Sequence, residues 1–138
     1  MTGRAGAVRR SILVVEDDLD FREVLGEHLR AAGYAIAEAG NGAEALSLLA
    51  DGVDADVVLL DLRMPVMDGA EFCRRLEGAR LDDVPVVVMT AELDTREVER
   101  FRCVVDVLRK PFEVHRLDGA IARQLEAFLG VLTPSPGS

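Results

Sequence analysis

The segment Ser11–Asp20, SILVVEDDLD, runs a strand-like apolar stretch straight into four carboxylates within five residues. SILVV is nearly all apolar, as a strand buried on both faces of a parallel sheet should be, because helices cover each side. The acids that follow need a separate reason. Carboxylates held within a few ångströms repel, and each raises its neighbours' pKa unless a cation or hydrogen-bond donors compensate. Asp18 or Asp20 is placed to cap a following helix, with Glu23 three residues after Asp20 making a capping box, and acids suit the positive end of the helix dipole. Glu16 and Asp17 come too early for that role, at the end of the strand.

Working outward, the same alternation recurs. YAIAEA (Tyr34–Ala39), VVLLD (Val57–Asp61), VVVMT (Val86–Thr90) and VVDVL (Val104–Leu108) complete a set of five strand-like runs. Phe21, Val24, Leu25, His28, Leu29 and Ala32 mark one face of a first helix, and Gly33 stands where it would stop. Helices also fit Asn41–Ala50, Ala70–Glu77 and Asp94–Phe101, and Val114, Leu117, Ile121, Leu125 and Phe128 mark the last. Strand and helix alternating five times predict an α/β fold, a (βα)5 doubly wound parallel sheet. The expected domain covers residues 11–130, with a flexible tail over 1–10 and a C-terminal tail or linker start over 131–138, where TPSPGS is polar and proline-rich.

With 138 residues, 49% hydrophobic and 30% charged, the chain is long enough for one domain with a sizeable core. A net charge of −9 argues against general nucleic-acid binding, which depends on Lys and Arg neutralising phosphates. No apolar run is long enough to span a bilayer, and MTGRAGAVRR lacks the apolar centre of a signal peptide, so the expected location is the cytoplasm. Cys73 and Cys103 lack a CxxC pair or a nearby His at zinc spacing and read as buried free thiols. His28 lies on an apolar face and reads as packed, and His115 has no evident partner.

In an open α/β sheet, ligands bind beyond the carboxyl ends of the strands, where strand order reverses. Glu16 and Asp17 follow the first strand, Asp61 ends the third, Thr90 ends the fourth and Lys110 follows the fifth. Three acids, a hydroxyl and an ammonium thus converge on one sheet edge. A hard cation such as Mg²⁺ would offset the repulsion among the acids. A carboxylate can also attack phosphorus to form an aspartyl phosphate, whose oxygens a Lys and a Thr hydroxyl suit.

ILVVEDD, DLRMPVMDG, VVVMTA and LRKPF resemble the four signature segments of the response-regulator receiver domain of two-component signalling. Each alone is weak, but four in order at strand ends over Ile12–Leu129 form a specific signal. The resemblance implies a flavodoxin-like fold of strand order 2-1-3-4-5 and a switch that signals through protein contacts. It implies Asp61 as acceptor of a phosphoryl group from a sensor histidine kinase or a histidine phosphotransfer protein. By the same matching Asp17 and Asp61 would bind Mg²⁺ directly, Glu16 through water, and the Arg63 backbone carbonyl would be a further ligand. Thr90 and Lys110 would hold the phosphoryl group, and Lys110-Pro111 would be a cis peptide. Catalysis would be limited to the protein's own phosphorylation and dephosphorylation. The output face would be the fourth helix, fifth strand and last helix, open to a downstream protein or a second copy, with no nucleic acid or membrane bound by this domain.

Two departures stand out: Val107 replaces the usual Tyr or Phe three residues before the lysine, and Cys103 stands where Gly is frequent. Arg63 and Glu92 occupy the variable positions beside the phosphoryl site and can pair across its mouth. An alternative from another class is a Mg²⁺-dependent phosphatase working through an aspartyl phosphate. Haloacid-dehalogenase-like phosphatases place a second acid two residues past the nucleophile, and here that residue is Arg63. A third is a binding-only adaptor with a vestigial site, against which the complete set Asp17, Asp61, Thr90 and Lys110 argues.

Overall fold

In the computed structural model, which describes residues 10–81 and 83–132 with side chains through 126, five parallel strands lie in the order β2-β1-β3-β4-β5. The strands are β1 (Ser11–Val15), β2 (Ala35–Ala39), β3 (Val57–Asp61), β4 (Val86–Thr90) and β5 (Val104–Arg109). They alternate with α1 (Leu19–Ala31), α2 (Gly42–Ala50), α3 (Gly69–Gly78), α4 (Arg96–Glu99) and α5 (Val114–Leu132). This is the expected flavodoxin-like α/β fold. Residues 1–9 and 133–138, which carry most of both expected tails, and the Phe128 side chain lie outside the described residues. Arg10 already belongs to the fold, since its carbonyl accepts the Ala35 N–H at 2.8 Å, and α5 continues past Gly130.

Side chains alternate across the sheet with a period of two, so each strand feeds two apolar layers. Leu13, Val15, Val58, Leu60, Val86 and Val88 face α2, α3 and α4, where Ala45, Phe72, Leu76 and Val98 close the layer. Ile12, Val14, Val57, Leu59, Val87 and Met89 face α1 and α5, meeting Leu25, Leu29, Leu117 and Ile121. β1, β3 and β4 are buried throughout apart from the first residue of β1, which is why their sequences carry no polar alternation.

The helix starts follow local chemistry. Asp18 caps α1, its side chain accepting from Phe21 N at 3.1 Å, so Asp20 and Glu23 do not form the capping box. Asn41 and Asp68 cap α2 and α3 in the same way. α1 rotates differently from the expected face: Leu25, Gly26 and Leu29 are buried, whereas Val24 is 61% exposed. Gly33 ends the turn after it with φ 103.

The fourth helix is the largest departure from expectation, four residues in place of Asp94–Phe101. Thr95 makes no side-chain bond to the helix backbone, its hydroxyl going to the Glu99 carboxylate. At the other end Arg100 N and Phe101 N reach back three residues, to Glu97 and Val98, so the chain tightens out of the α-helix. β5 carries a register shift, with Val86 opposite Val104 but Val87 opposite Asp106, and the skipped Val105 is partly exposed.

Candidate functional site

Strand order reverses between β1 and β3, and there the carboxyl ends of both strands present acids. Carboxylate oxygens of Glu16, Asp17 and Asp61 all lie within 4.8 Å of one another. Glu16 and Asp61 are buried while Asp17 is open to solvent. Gly69 permits this placement of Asp61: a Cβ there would meet Asp61 O at 2.9 Å and Leu62 Cδ2 at 2.7 Å, so only glycine lets α3 begin against the end of β3.

The other expected residues join them. Lys110 Nζ stands 3.0 Å from Glu16 Oε1 and 3.8 Å from Asp61 Oδ1. Thr90 is buried at the end of β4, and its Oγ1 accepts the Glu92 N–H at 3.0 Å. The Arg63 N–H donates to Asp61 Oδ1 at 3.3 Å, while Arg63 Nε pairs with Glu92 Oε2 at 2.6 Å across the mouth, as their positions in sequence led one to expect. Lys110-Pro111 is cis, and Lys110 N donates to Thr90 O at 2.7 Å, which ties the ends of β4 and β5 together. A cleft of about 340 Å³ opens onto these groups, lined by Asp61, Arg63, Thr90, Ala91, Glu92 and Lys110.

Burial pushes Asp61 up to about 6, with the Glu16 charge adding to the rise and the Lys110 ammonium opposing it. Three carboxylates against one ammonium leave the cluster short of positive charge. Its donors are all oxygens, so the residues present fit a hard divalent cation. Glu16 is already engaged, one oxygen with Lys110 and the other with the Asp18 N–H at 3.1 Å, whereas Asp17 is free to turn toward a cation.

Two participants were not anticipated. Arg22 Nη1 donates to Glu16 O at 2.8 Å and its Nε pairs with Glu38 at 3.2 Å, pinning the end of β1 to α1 and β2. Phe21 lies with its ring under Lys110, Nζ 4.6 Å from the ring centroid. Helical spacing placed Phe21 on an apolar face but gave no sign that the face passes beneath the lysine. Away from the site, His28 bridges α1 and α5 through Asp118 at 2.8 Å. His115 does have a neighbour, Glu113 at 3.7 Å on the exposed start of α5. Cys73 and Cys103 are both buried free thiols.

An open parallel sheet in the order 2-1-3-4-5, with acids, a threonine and a lysine on its carboxyl edge, has the architecture of a two-component receiver. The chain belongs to the response regulator receiver domain family, whose model matches residues 12–122. It is similar to Response regulator MprA of Mycolicibacterium vanbaalenii, 40% identical over 129 residues that cover 92% of this chain and 53% of that protein. It is 34% identical over 119 residues to the uncharacterized transcriptional regulatory protein YrkP of Bacillus subtilis, covering 85% and 50%. The chain thus spans about half the length of these curated relatives. Among solved structures it resembles response regulator TrrA of Thermotoga maritima in complex with Mg²⁺ and BeF, at a TM-score of 0.74 and 30% identity over 83% of this chain and 98% of that one. Chemotaxis response regulator CheY4 of Vibrio cholerae gives a TM-score of 0.75 at 28% identity, covering 85% and 99%. Among the described residues no helix is long and apolar enough to cross a membrane.

Proposed function

We propose that the chain is a phosphorylation-dependent switch in which Asp61 accepts a phosphoryl group from the phosphohistidine of a sensor histidine kinase or histidine phosphotransfer protein. The observation that carries this reading is the setting of Asp61. It is buried at the strand-order reversal, raised to about 6 yet ionised at neutral pH, and 3.8 Å from the one ammonium of the cluster. An Asp61 oxygen attacks phosphorus, the bond from phosphorus to the donor imidazole breaks with its electron pair going to the ring nitrogen, and the imidazole, already protonated on its other nitrogen, leaves as the neutral ring. The Lys110 ammonium and the Thr90 hydroxyl then donate to the phosphoryl oxygens, whose charge must be stabilised during transfer. Asp17, Asp61 and the Arg63 carbonyl would hold Mg²⁺, with Glu16 acting through water because its own oxygens are already engaged. That ion would supply neutralisation of the carboxylate and phosphoryl charges as they approach.

The phosphatase alternative is weakened further by geometry, since the residue two past Asp61 is an arginine engaged with Glu92. In this reading the chain turns over no external substrate and works in the cytoplasm, where its kinase partner keeps its phosphohistidine. Output runs through the face that carries exposed Leu93, Val105 and Val114, on the loop before α4, on β5 and at the start of α5. A downstream protein or a second copy would dock there. Intact-mass spectrometry after acetyl phosphate and Mg²⁺ should show one added phosphoryl group, lost in Asp61→Asn and lost with EDTA. Unchanged labelling of Asp61→Asn would overturn the assignment.

A further inference from the structure

Lysine is a strongly hydrated point charge on a four-carbon stem, so a single ion pair fixes one of its three donors and leaves the head free to swing toward water. Lys110 is restrained by more than its carboxylates. Its side chain is 25% exposed, and Nζ stands 4.6 Å from the Phe21 ring centroid as well as 3.0 Å from Glu16. The ring is itself held, packing edge-on against Phe112 with centroids 6.2 Å apart at 67°. An apolar recess between Phe21, Ala91, Pro111 and Phe112 lines the same side of the lysine.

We propose that Phe21 is a positioning residue for phosphoryl transfer, its ring face holding the Lys110 ammonium where it reaches the phosphoryl group on Asp61. The proposal rests on the reading of Asp61 as acceptor. The physical advantage of a ring at this place lies in what it does not do. A third carboxylate would also attract the ammonium, but it would take up an N–H that the phosphoryl oxygens need. A leucine would exclude water without attracting the charge. The aromatic face attracts the cation through its quadrupole and accepts no conventional hydrogen bond, so the donors stay aimed into the site.

The test separates ring electrostatics from packing. In the full chain, Phe21 is replaced by mono-, di- and trifluorinated phenylalanine, which keep the shape and progressively remove negative potential from the ring face. Phe21→Leu and Phe21→Tyr serve as the apolar and the conservative variant. Phosphorylation by phosphoramidate should slow stepwise with fluorination, by about fivefold across the series, the order expected of a partly desolvated cation–ring contact. Melting temperatures should fall by no more than the few degrees that loss of the same contact costs across the fluorinated set, Phe21→Leu should be slowed at least as much, and Phe21→Tyr should hold close to wild type. In the proton NMR spectrum, the Lys110 methylene next to Nζ should be shifted upfield by the ring and return to its usual position in Phe21→Leu. Rates that ignore fluorination while Phe21→Leu loses stability would show a packing role and overturn the proposal. Absence of the ring-current shift would overturn it as well. A wild-type protein that accepts no phosphoryl group would instead overturn the reading of Asp61, and this proposal with it.

Discussion

Asp61 carries a cost that the fold accepts for the sake of the site. Its pKa is about 6 in the folded chain against an ordinary 3.8, because burial and the Glu16 charge disfavour the carboxylate more than Lys110 favours it. Since the folded value is the higher one, the stability contributed by this group is full below about 3.8 and is lost as pH rises through about 6. The gap corresponds to at most about 3 kcal/mol of destabilisation at neutral pH. Metal-free protein should therefore melt higher at about pH 5 than at about pH 7.5, and Asp61→Asn should flatten that part of the profile. In EDTA at about pH 7.5, Asp61→Asn should melt higher than wild type by roughly 3–8 °C. Added Mg²⁺ should stabilise the wild type more than the variant. Scanning calorimetry over this range checks all three, and parallel profiles for the two proteins would exclude Asp61 as the source. The acids, Thr90, Lys110 and even the Arg63–Glu92 pair were legible in the chain, because each sits at or just past a strand end and strand ends are readable in one dimension. Phe21 and Arg22 were not, because their roles depend on how α1 crosses the end of β1, which no spacing encodes.

Among the elements, the loop from β3 to α3 holds strain in one residue. Val66 has φ 67, and Met67 N donates to Pro65 O at 2.6 Å, a three-residue turn of the uncommon positive-φ kind. A β-branched residue tolerates that region poorly, and Val66 is 85% exposed, so its side chain contributes no core packing in exchange. Val66→Gly should raise stability by about 1 kcal/mol, since glycine has no Cβ to clash at positive φ, and relief of that strain exceeds its extra entropy in the unfolded chain. Urea unfolding measures this directly, and an unchanged or lower midpoint would mean that the turn is not strained. MPVMDG carries Pro65 and Gly69, the residue types that usually shape a turn. Gly69 instead serves close approach to Asp61, and the unusual backbone falls on a valine that no turn preference would select. Helix α4 is shorter than its spacing predicts for a related reason. Its apolar spacing is compatible with two turns, yet Val98 alone is buried within it, and Thr95 gives its hydroxyl to Glu99 rather than to the backbone. Local hydrogen bonds, not periodicity, decided its length.

Across the whole molecule, the site joins the ends of strands whose other halves are locked into two apolar layers, so a change at the site has few directions in which to spread. β1, β3 and β4 are too deeply buried to shift. α1 and α5 share the layer built on Leu25, Leu29, Leu117 and Ile121, and His28 ties them together again at Asp118. The segment after Thr90 has no comparable hold: a helix of four residues with Val98 its one buried side chain, and a following strand whose pairing with β4 is interrupted at Val105. Thr90 meets this segment directly, through the Glu92 N–H on its hydroxyl and the Lys110 N–H on its carbonyl. If Asp61 takes a phosphoryl group as proposed, Thr90 and Lys110 would turn to it and the loop they anchor would have to readjust. Val107, half-buried against the layer of α2, α3 and α4, offers no ring to swing inward, so under that proposal the α4 segment itself would carry the change. Hydrogen exchange with Mg²⁺ and beryllofluoride, against Mg²⁺ alone, should therefore show its largest protection change between Thr90 and Leu108, with α1 and the central strands nearly unaffected. A change confined to α1 and α2 would mean that the signal leaves by the opposite side of the sheet.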